Sequence, residues 1–129
     1  MNLQDQAEEF RYAYGVTNSP ENNQMQLDLI SEEFQEFAHA HADDWIGTIE
    51  VPGESSESHA LKELADLVYV CFQYASNREW DLMLALKRVH ESNMSKLGED
   101  GKPIRREDGK VLKGPNYKPP YLEDLCHLI

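Results

Sequence analysis

The chain has 129 residues, a length typical of one compact domain, and 40% of them are hydrophobic while 28% are charged. It contains no run of about 20 apolar residues, and its first residues lack the basic start and apolar stretch of a secretory signal. We therefore expect a cytoplasmic protein with no membrane association. The net charge of −12 disfavours a nucleic acid polymer as a partner, because such binding depends on basic side chains that neutralise phosphates.

The charge is unevenly distributed along the chain. Residues 1–66 hold 15 acidic and 2 basic residues, whereas residues 67–129 hold 9 acidic and 10 basic ones. An acidic half that holds divalent cations, beside a half that supplies Lys and Arg, is one way to bind a polyphosphate with its metal. The simpler alternative is that an acidic surface keeps the protein soluble.

Two helices are predicted near the start of the chain. The first covers residues 3–14 and ends at Gly15, a residue that commonly closes a helix. Ser19-Pro20-Glu21 has the N-cap hydroxyl, proline and acid of a helix start, and the second helix is predicted to run from there to about Asp43.

A third helix is predicted over residues 59–75, after a loop at residues 46–58 that is marked by Pro, Gly and Ser. Beyond its first turns it is apolar on nearly every side, which is typical of a central helix covered by its neighbours. One short bundle supplies too little cover for such a helix, so we expect a homo-oligomer.

A fourth helix is predicted to start at a capping box formed by Ser76 and Glu79 and to close at Gly98. Continuing its apolar stripe in steps of three and four places Asn93 and Lys96 on the inner side.

The C-terminal residues have a different pattern. Asp108-Gly109 is a turn dipeptide between Pro103-Ile104 and Val111-Leu112, which predicts a short β-hairpin, and Gly114-Pro115 begins an extended tail. The sequence thus predicts a single all-α domain over residues 1–129. Its helical core is placed at residues 1–97, with the hairpin and tail at 98–129.

Two pairs of acidic residues on successive helices are the candidates for a functional site. Glu33 with Glu36, and Glu63 with Asp66, are three positions apart, so each pair shares one helix face at the border of the apolar stripe. Carboxylates in that position repel one another and are costly to desolvate unless they take up protons or a cation. Oxygen-only ligands favour Mg²⁺ or Mn²⁺ over Zn²⁺.

A di-iron centre is a competing interpretation of the same helix. Glu36 and His39 have the Glu-x-x-His spacing used in di-iron bundles. His39 points further from the apolar face, however, and the sequence has no second Glu-x-x-His, so this interpretation is disfavoured.

The pattern Glu32-Glu33-x-x-Glu36, 26 intervening residues and Glu63-x-x-Asp66 resembles the signature of the all-α nucleotide pyrophosphohydrolases. That group includes MazG proteins, dimeric dUTPases, dCTP pyrophosphatases and phosphoribosyl-ATP pyrophosphohydrolase. The resemblance covers about residues 5–97, and residues 92–117 resemble MazG-like proteins of phages. It implies a four-helix MazG-like bundle and a homodimer or homotetramer, in the host cytoplasm if a phage encodes it.

The resemblance also implies a reaction and a set of site residues. The reaction is Mg²⁺-dependent hydrolysis of a nucleoside triphosphate to the monophosphate and pyrophosphate, with Mn²⁺ as a possible substitute. The four carboxylates would hold the metal, and Asn93 and Lys96 would face the phosphates. We add Lys113 and Tyr117 from the tail to the substrate-binding residues, with Lys96 and Lys113 stabilising charge on the leaving pyrophosphate. From the phage-like tail we expect a preference for a purine such as GTP or dGTP.

Two other functions stay open at this point. The same fold can act on phosphoribosyl-ATP or on a damaged nucleotide. Alternatively, the chain is a non-catalytic helical module whose acidic face contacts a protein partner.

Overall fold

The computed structural model describes residues 1–46 and 55–126 of the chain. The described part is mostly helical, with one antiparallel hairpin near the C-terminus, and this confirms the predicted fold class. Its elements are α1 (Leu3–Ala13), α2 (Asn23–Ile46), α3 (Ser56–Asn77), α4 (Leu82–Met94), β1 (Ile104–Arg105) and β2 (Val111–Leu112). Among the described residues, no helix is long and apolar enough to cross a membrane.

The chain divides into two compact units, Met1–Trp80 and Asp81–Ile129. The first unit contains α1, α2 and α3, and α3 packs against both of the other helices. The second contains α4, the hairpin and the tail. Whether the whole chain is one domain with a helical core at residues 1–97 stays a prediction.

Helix α1 begins and ends with local signals. The Asn2 side chain accepts a hydrogen bond from the Asp5 backbone N–H at 2.8 Å, and Asp5 reciprocates, which forms a capping box. Gly15 follows the helix with a positive φ of 66°, a conformation in which glycine lacks the usual steric cost. The first helix is therefore confirmed to within one residue.

Helix α2 starts with the predicted signal but in a modified form. The Ser19 hydroxyl accepts a hydrogen bond from the Glu21 N–H and caps a single 3₁₀ turn at Pro20–Asn22, after which α2 begins. The helix continues to Ile46, three residues past the predicted end. Of the loop predicted at 46–58, residues 47–54 lie outside the described residues.

Helix α3 is longer than predicted at both ends. Ser55 caps it by accepting a hydrogen bond from the Ser58 N–H at 3.0 Å, so residues 56–58 form its first turn rather than a loop. Ser76 and Asn77 are buried in its last turn. These two residues are held by packing within the first unit, and this decides where the helix ends.

The predicted capping box at Ser76 and Glu79 is therefore wrong. Glu79 has a positive φ of 57°, and the Trp80 N–H bonds back to the Ala75 carbonyl at 2.9 Å to close α3. The true N-cap of α4 is Asp81, which accepts a hydrogen bond from the Leu84 N–H.

The expectation that α3 is covered beyond its first turns is met only in its second half. Phe72 and Ala75 are buried, but Leu61 near the start of the helix is 67% exposed, and Leu64 and Val68 are exposed on the following turns. Phe34 on α2 is likewise 58% exposed. The first unit thus has exposed apolar side chains on both α2 and α3. Phe34, Leu61, Leu64 and Val68 are together called the apolar face below.

The second unit begins with α4, which ends at Met94, four residues before Gly98. The predicted inner position of Asn93 is wrong, because Asn93 is exposed whereas its neighbour Ser92 is buried. The hairpin matches the prediction: Ile104 pairs with Leu112 and Arg105 with Val111 around a turn in which Gly109 has a φ of 88°.

The tail after the hairpin lies along α4 and is held by its side chains. The Ser92 hydroxyl donates to the Lys118 carbonyl at 2.7 Å, and Arg88 binds both the Tyr121 carbonyl and the Asp124 carboxylate. The Gly114 N–H donates to the Lys96 carbonyl at 2.8 Å. The tail is extended, as predicted, apart from one 3₁₀ turn at Glu123–Leu125.

Candidate metal centre

Three of the four predicted carboxylates come together in the first unit. Glu33 and Glu36 on α2 and Glu63 on α3 each offer one oxygen, and these oxygens all lie within 4.8 Å of one another. The i, i+3 spacing places Glu33 and Glu36 on one face of α2. Packing of α2 against α3 then brings Glu63 to the same place. This set of three is called the acidic cluster below.

The acidic cluster is partly withdrawn from water. Glu63 is only 6% exposed, Glu33 is half-buried, and Glu36 is exposed. Among the described residues, Glu33 Oε2 and Glu63 Oε2 are buried without a hydrogen-bond partner. A buried carboxylate oxygen without a partner is costly, so these two atoms fit a site in which a cation would satisfy them.

The environment of Glu33 confirms that the carboxylates interact. Burial raises the pKa of Glu33 above its usual value, and the negative charges of Glu36, Asp66 and Glu63 raise the pKa further. Asp66 therefore lies close enough to act on Glu33 even though it is not part of the acidic cluster.

Asp66 is instead paired with a lysine. Lys62 Nζ lies 2.7 Å from Asp66 Oδ2 and 3.6 Å from Glu63 Oε1. His59 is one turn before Glu63, with its Nε2 at 3.8 Å from the same Glu63 oxygen. Sequence reasoning did not identify Lys62, although its i, i+4 spacing to Asp66 was a signal for this ion pair.

The donor set fits a hard divalent cation. Carboxylate oxygens from two helices are the ligands that Mg²⁺ and Mn²⁺ prefer, and two of these oxygens have no partner among the residues that the structure describes. His39, the residue that would complete a di-iron motif with Glu36, is exposed and is not part of the acidic cluster. The residues present thus agree with the predicted oxygen-only metal centre.

The other predicted site residues belong to the second unit. Lys113 Nζ lies 4.7 Å from the centre of the Tyr117 ring, a cation–π distance, so the structure brings these two together. Lys96 is half-buried and joined to the tail through its carbonyl, whereas Asn93 is exposed. The assignment of these four residues to the substrate stays a prediction.

Arg11 is a buried polar residue whose environment was not predicted. Its guanidinium is 3% exposed and donates to Asn18 Oδ1 at 2.7 Å and to Asn77 Oδ1 at 2.9 Å, with a longer contact to Gln73. Burial lowers the pKa of this guanidinium. Its partners are amide oxygens rather than carboxylates, so the network ties α1 to α3 and leaves the acidic cluster without this positive charge.

A protein-family comparison identifies the group to which this arrangement belongs. The family model described as phosphoribosyl-ATP pyrophosphohydrolase matches residues 4–93. The chain belongs to this family. The family is part of the MazG-like all-α nucleotide pyrophosphohydrolase superfamily, as the acidic motifs indicated.

The family match covers residues 4–93 of the chain. It contains the acidic cluster, Asp66 and α4 up to Asn93, but neither the hairpin nor the tail. No curated protein matches the chain. Family membership therefore supports a hydrolase of nucleotide acid anhydrides and leaves the substrate to be determined.

Proposed function

We propose that the protein is a Mg²⁺-dependent nucleoside triphosphate pyrophosphohydrolase, which converts a (d)NTP to the (d)NMP and pyrophosphate. The observation that carries this proposal is the acidic cluster. Three carboxylates converge within 4.8 Å, and two of their oxygens are buried without a partner. They lie within residues 4–93, the part of the chain that matches the phosphoribosyl-ATP pyrophosphohydrolase family model.

The residues of the acidic cluster would bind the metal, together with Asp66 once its ion pair to Lys62 opens. When bound, a divalent cation neutralises phosphate charge and lowers the pKa of a coordinated water. One of the glutamates accepts the proton of the attacking water as it adds to phosphorus. The electron pair of the broken P–O bond leaves with pyrophosphate.

Two lysines singled out from the sequence are the candidates for binding the leaving group. We assign Lys96 and Lys113 to the leaving pyrophosphate, where their ammonium groups stabilise developing negative charge. Asn93 and Tyr117 complete the proposed substrate contacts. We expect a purine substrate such as GTP or dGTP, and we expect the reaction to take place in the cytoplasm.

The family match favours a second candidate substrate. Phosphoribosyl-ATP is the substrate in the description of the matching family model, and its hydrolysis breaks the same type of anhydride bond. The acidic cluster serves either substrate in the same way, since both present a triphosphate to the metal.

A substrate panel separates these candidates. The full chain is incubated with each NTP, each dNTP and phosphoribosyl-ATP in Mg²⁺ and then in Mn²⁺, and pyrophosphate and orthophosphate are quantified separately. We expect pyrophosphate from at least one purine nucleoside triphosphate and none from Glu63→Gln. Turnover of phosphoribosyl-ATP alone would favour the second candidate. If neither pyrophosphate nor orthophosphate is released with either metal, the enzymatic proposal is overturned. The remaining alternative is then a non-catalytic helical module that contacts a protein partner.

We also propose that the protein is a homodimer or homotetramer whose contact includes the apolar face. Two of its side chains, Phe34 and Leu61, are more than half exposed, and among the described residues the buried hydrophobic side chains are Phe72 and three alanines. Covering such a face is strongly favourable, and a second copy offers an equally apolar surface. Sedimentation of the wild type at micromolar concentration should show an oligomer, and Leu61→Glu should shift it towards the monomer. A monomeric wild type would contradict this assembly.

A further inference from the structure

Lys62 partly neutralises the negative charge of two carboxylates of the first unit, those of Asp66 and Glu63. Its ammonium contacts Asp66 Oδ2 at 2.7 Å and Glu63 Oε1 at 3.6 Å. The first unit has two other basic residues, and both are engaged elsewhere. Arg11 binds amide oxygens, and Arg78 stacks on the Trp80 ring at 4.3 Å. Among the described Lys and Arg side chains of this unit, Lys62 alone is paired with these carboxylates.

The contact of Lys62 opposes metal binding at the same carboxylates. Mg²⁺ holds its ligand oxygens at about 2.0–2.1 Å, so an ammonium nitrogen 2.7 Å from Asp66 Oδ2 would place a positive charge close to a cation bound to Asp66 and would repel it. The side chain of Lys62 is 64% exposed and has a flexible four-carbon stem, so its release disturbs little packing. The ammonium and a divalent ion therefore compete for Asp66 and for one oxygen of Glu63.

A single ammonium also leaves part of the charge uncompensated. Lys62 reaches Oε1 of Glu63, while Oε2 of Glu63 and Oε2 of Glu33 are buried without a partner in the described chain. A doubly charged ion that bridges α2 and α3 satisfies atoms that Lys62 does not reach. The carboxylates thus favour the metal over the lysine, but they must give up an existing ion pair.

We propose that Lys62 is a competing counter-ion of the metal centre. It pairs with Asp66 and Glu63 when no metal is bound, leaves them when a divalent cation binds, and so weakens the affinity of the protein for that cation. This inference rests on the metal centre of the proposed function.

Manganese binding without nucleotide tests this competition directly. Free Mn²⁺ is measured by electron paramagnetic resonance during titration of the full chain and of Lys62→Gln, Lys62→Arg and Lys87→Gln. Lys62→Gln should bind Mn²⁺ about three- to tenfold more tightly, because it loses both the competing pair and a repelling charge. Lys62→Arg keeps the charge and should resemble the wild type. Lys87→Gln removes the same charge from an exposed position on α4 and should change the affinity by less than about twofold.

Thermal unfolding gives a second measurement with an expected change of sign. In EDTA, Lys62→Gln should melt below the wild type, because the carboxylates lose their counter-ion. At a fixed, subsaturating Mn²⁺ concentration it should melt at or above the wild type, since tighter binding stabilises the folded state more.

Equal or weaker Mn²⁺ affinity in Lys62→Gln would overturn the inference and leave the metal centre intact. A wild type that binds no Mn²⁺ at millimolar concentration would overturn both the inference and the metal centre of the proposed function. The two failures are therefore distinguishable.

Discussion

The two units of the chain differ in net charge and in how their carboxyl pKa values are shifted. Residues 1–80 hold 16 acidic and 3 basic residues, a net charge of −13, whereas residues 81–129 hold 8 and 9, a net charge of +1. In the second unit, Asp124 pairs with Arg88 and Asp108 with Arg106, and each pair lowers the pKa of its carboxyl group. In the first unit, burial and neighbouring carboxylates raise the pKa of Glu33.

This difference separates carboxylates that serve structure from carboxylates that serve a ligand. A surface aspartate with an arginine partner is satisfied within the chain and contributes little beyond local order. A buried glutamate beside other glutamates lacks such a partner, and a bound cation would neutralise its charge. The following experiments test this distinction, beginning with the largest expected effect.

Neutralising a carboxylate should abolish activity in the first unit and leave it unchanged in the second. Glu63→Gln keeps the shape of the side chain but removes a metal ligand, and we expect pyrophosphate release to fall about 100-fold or more. Asp108→Asn removes the same charge from a surface pair of the hairpin and should retain activity within about twofold. Comparable rates for the two variants would contradict the distinction.

Removing the buried arginine should destabilise the first unit strongly. Arg11→Met deletes the hydrogen bonds to Asn18 and Asn77 and removes the Arg11 donor from the amide oxygen of buried Gln73, so we expect a loss of about 2–4 kcal/mol in the free energy of unfolding. Urea unfolding measures this. The control is Arg105→Met, because Arg105 is exposed and donates to the Gly109 carbonyl; its cost should stay below about 0.5 kcal/mol.

The attachment of the tail should depend on Gly114. A Cβ at this position would lie 2.7 Å from the Lys96 carbonyl oxygen and closer still to that of Leu97, so Gly114→Ala must displace the backbone. We expect chymotrypsin to cleave the tail after Tyr117 or Tyr121 about tenfold faster, because local opening exposes these bonds. Asn116→Ala, at an exposed position two residues away, should leave the cleavage rate unchanged. A protected tail in Gly114→Ala would show that the glycine is dispensable.

The pH dependence of stability should show the strain at Glu33. Because the folded state raises the pKa of Glu33, ionisation of this group costs stability as pH rises from the usual glutamate value through the folded one. In EDTA, Glu33→Gln should therefore melt a few degrees above the wild type at pH 7.5, and the difference should shrink towards pH 4. Exposed Glu32 provides the control, since Glu32→Gln should give no such pH-dependent difference. A lower melting temperature for Glu33→Gln at pH 7.5 would contradict the sign.

Local signals in the sequence predicted much of the fold. The Asp108-Gly109 turn and the Ser19-Pro20 helix start were both confirmed, since each depends on a few adjacent residues.

The predicted cap at Ser76 failed because Asn77 takes part in a buried network with Arg11, and this network extends α3 past the local signal. Asn93 failed for a similar reason: the tail packs on Ser92, which lies one residue away on α4.

The spacing of acidic and apolar residues was enough to predict two helices with carboxylate pairs bordering apolar stripes, because the helical period depends only on spacing. Which of these carboxylates meet could not be predicted from spacing, because it depends on how the helices pack. Packing of α2 against α3 brings Glu63 next to Glu33 and Glu36. Two oxygens of these glutamates have no partner among the described residues. Asp66 instead forms an ion pair with Lys62. Burial and interatomic distance set the energy of a charge, and both arise when helices distant in sequence meet.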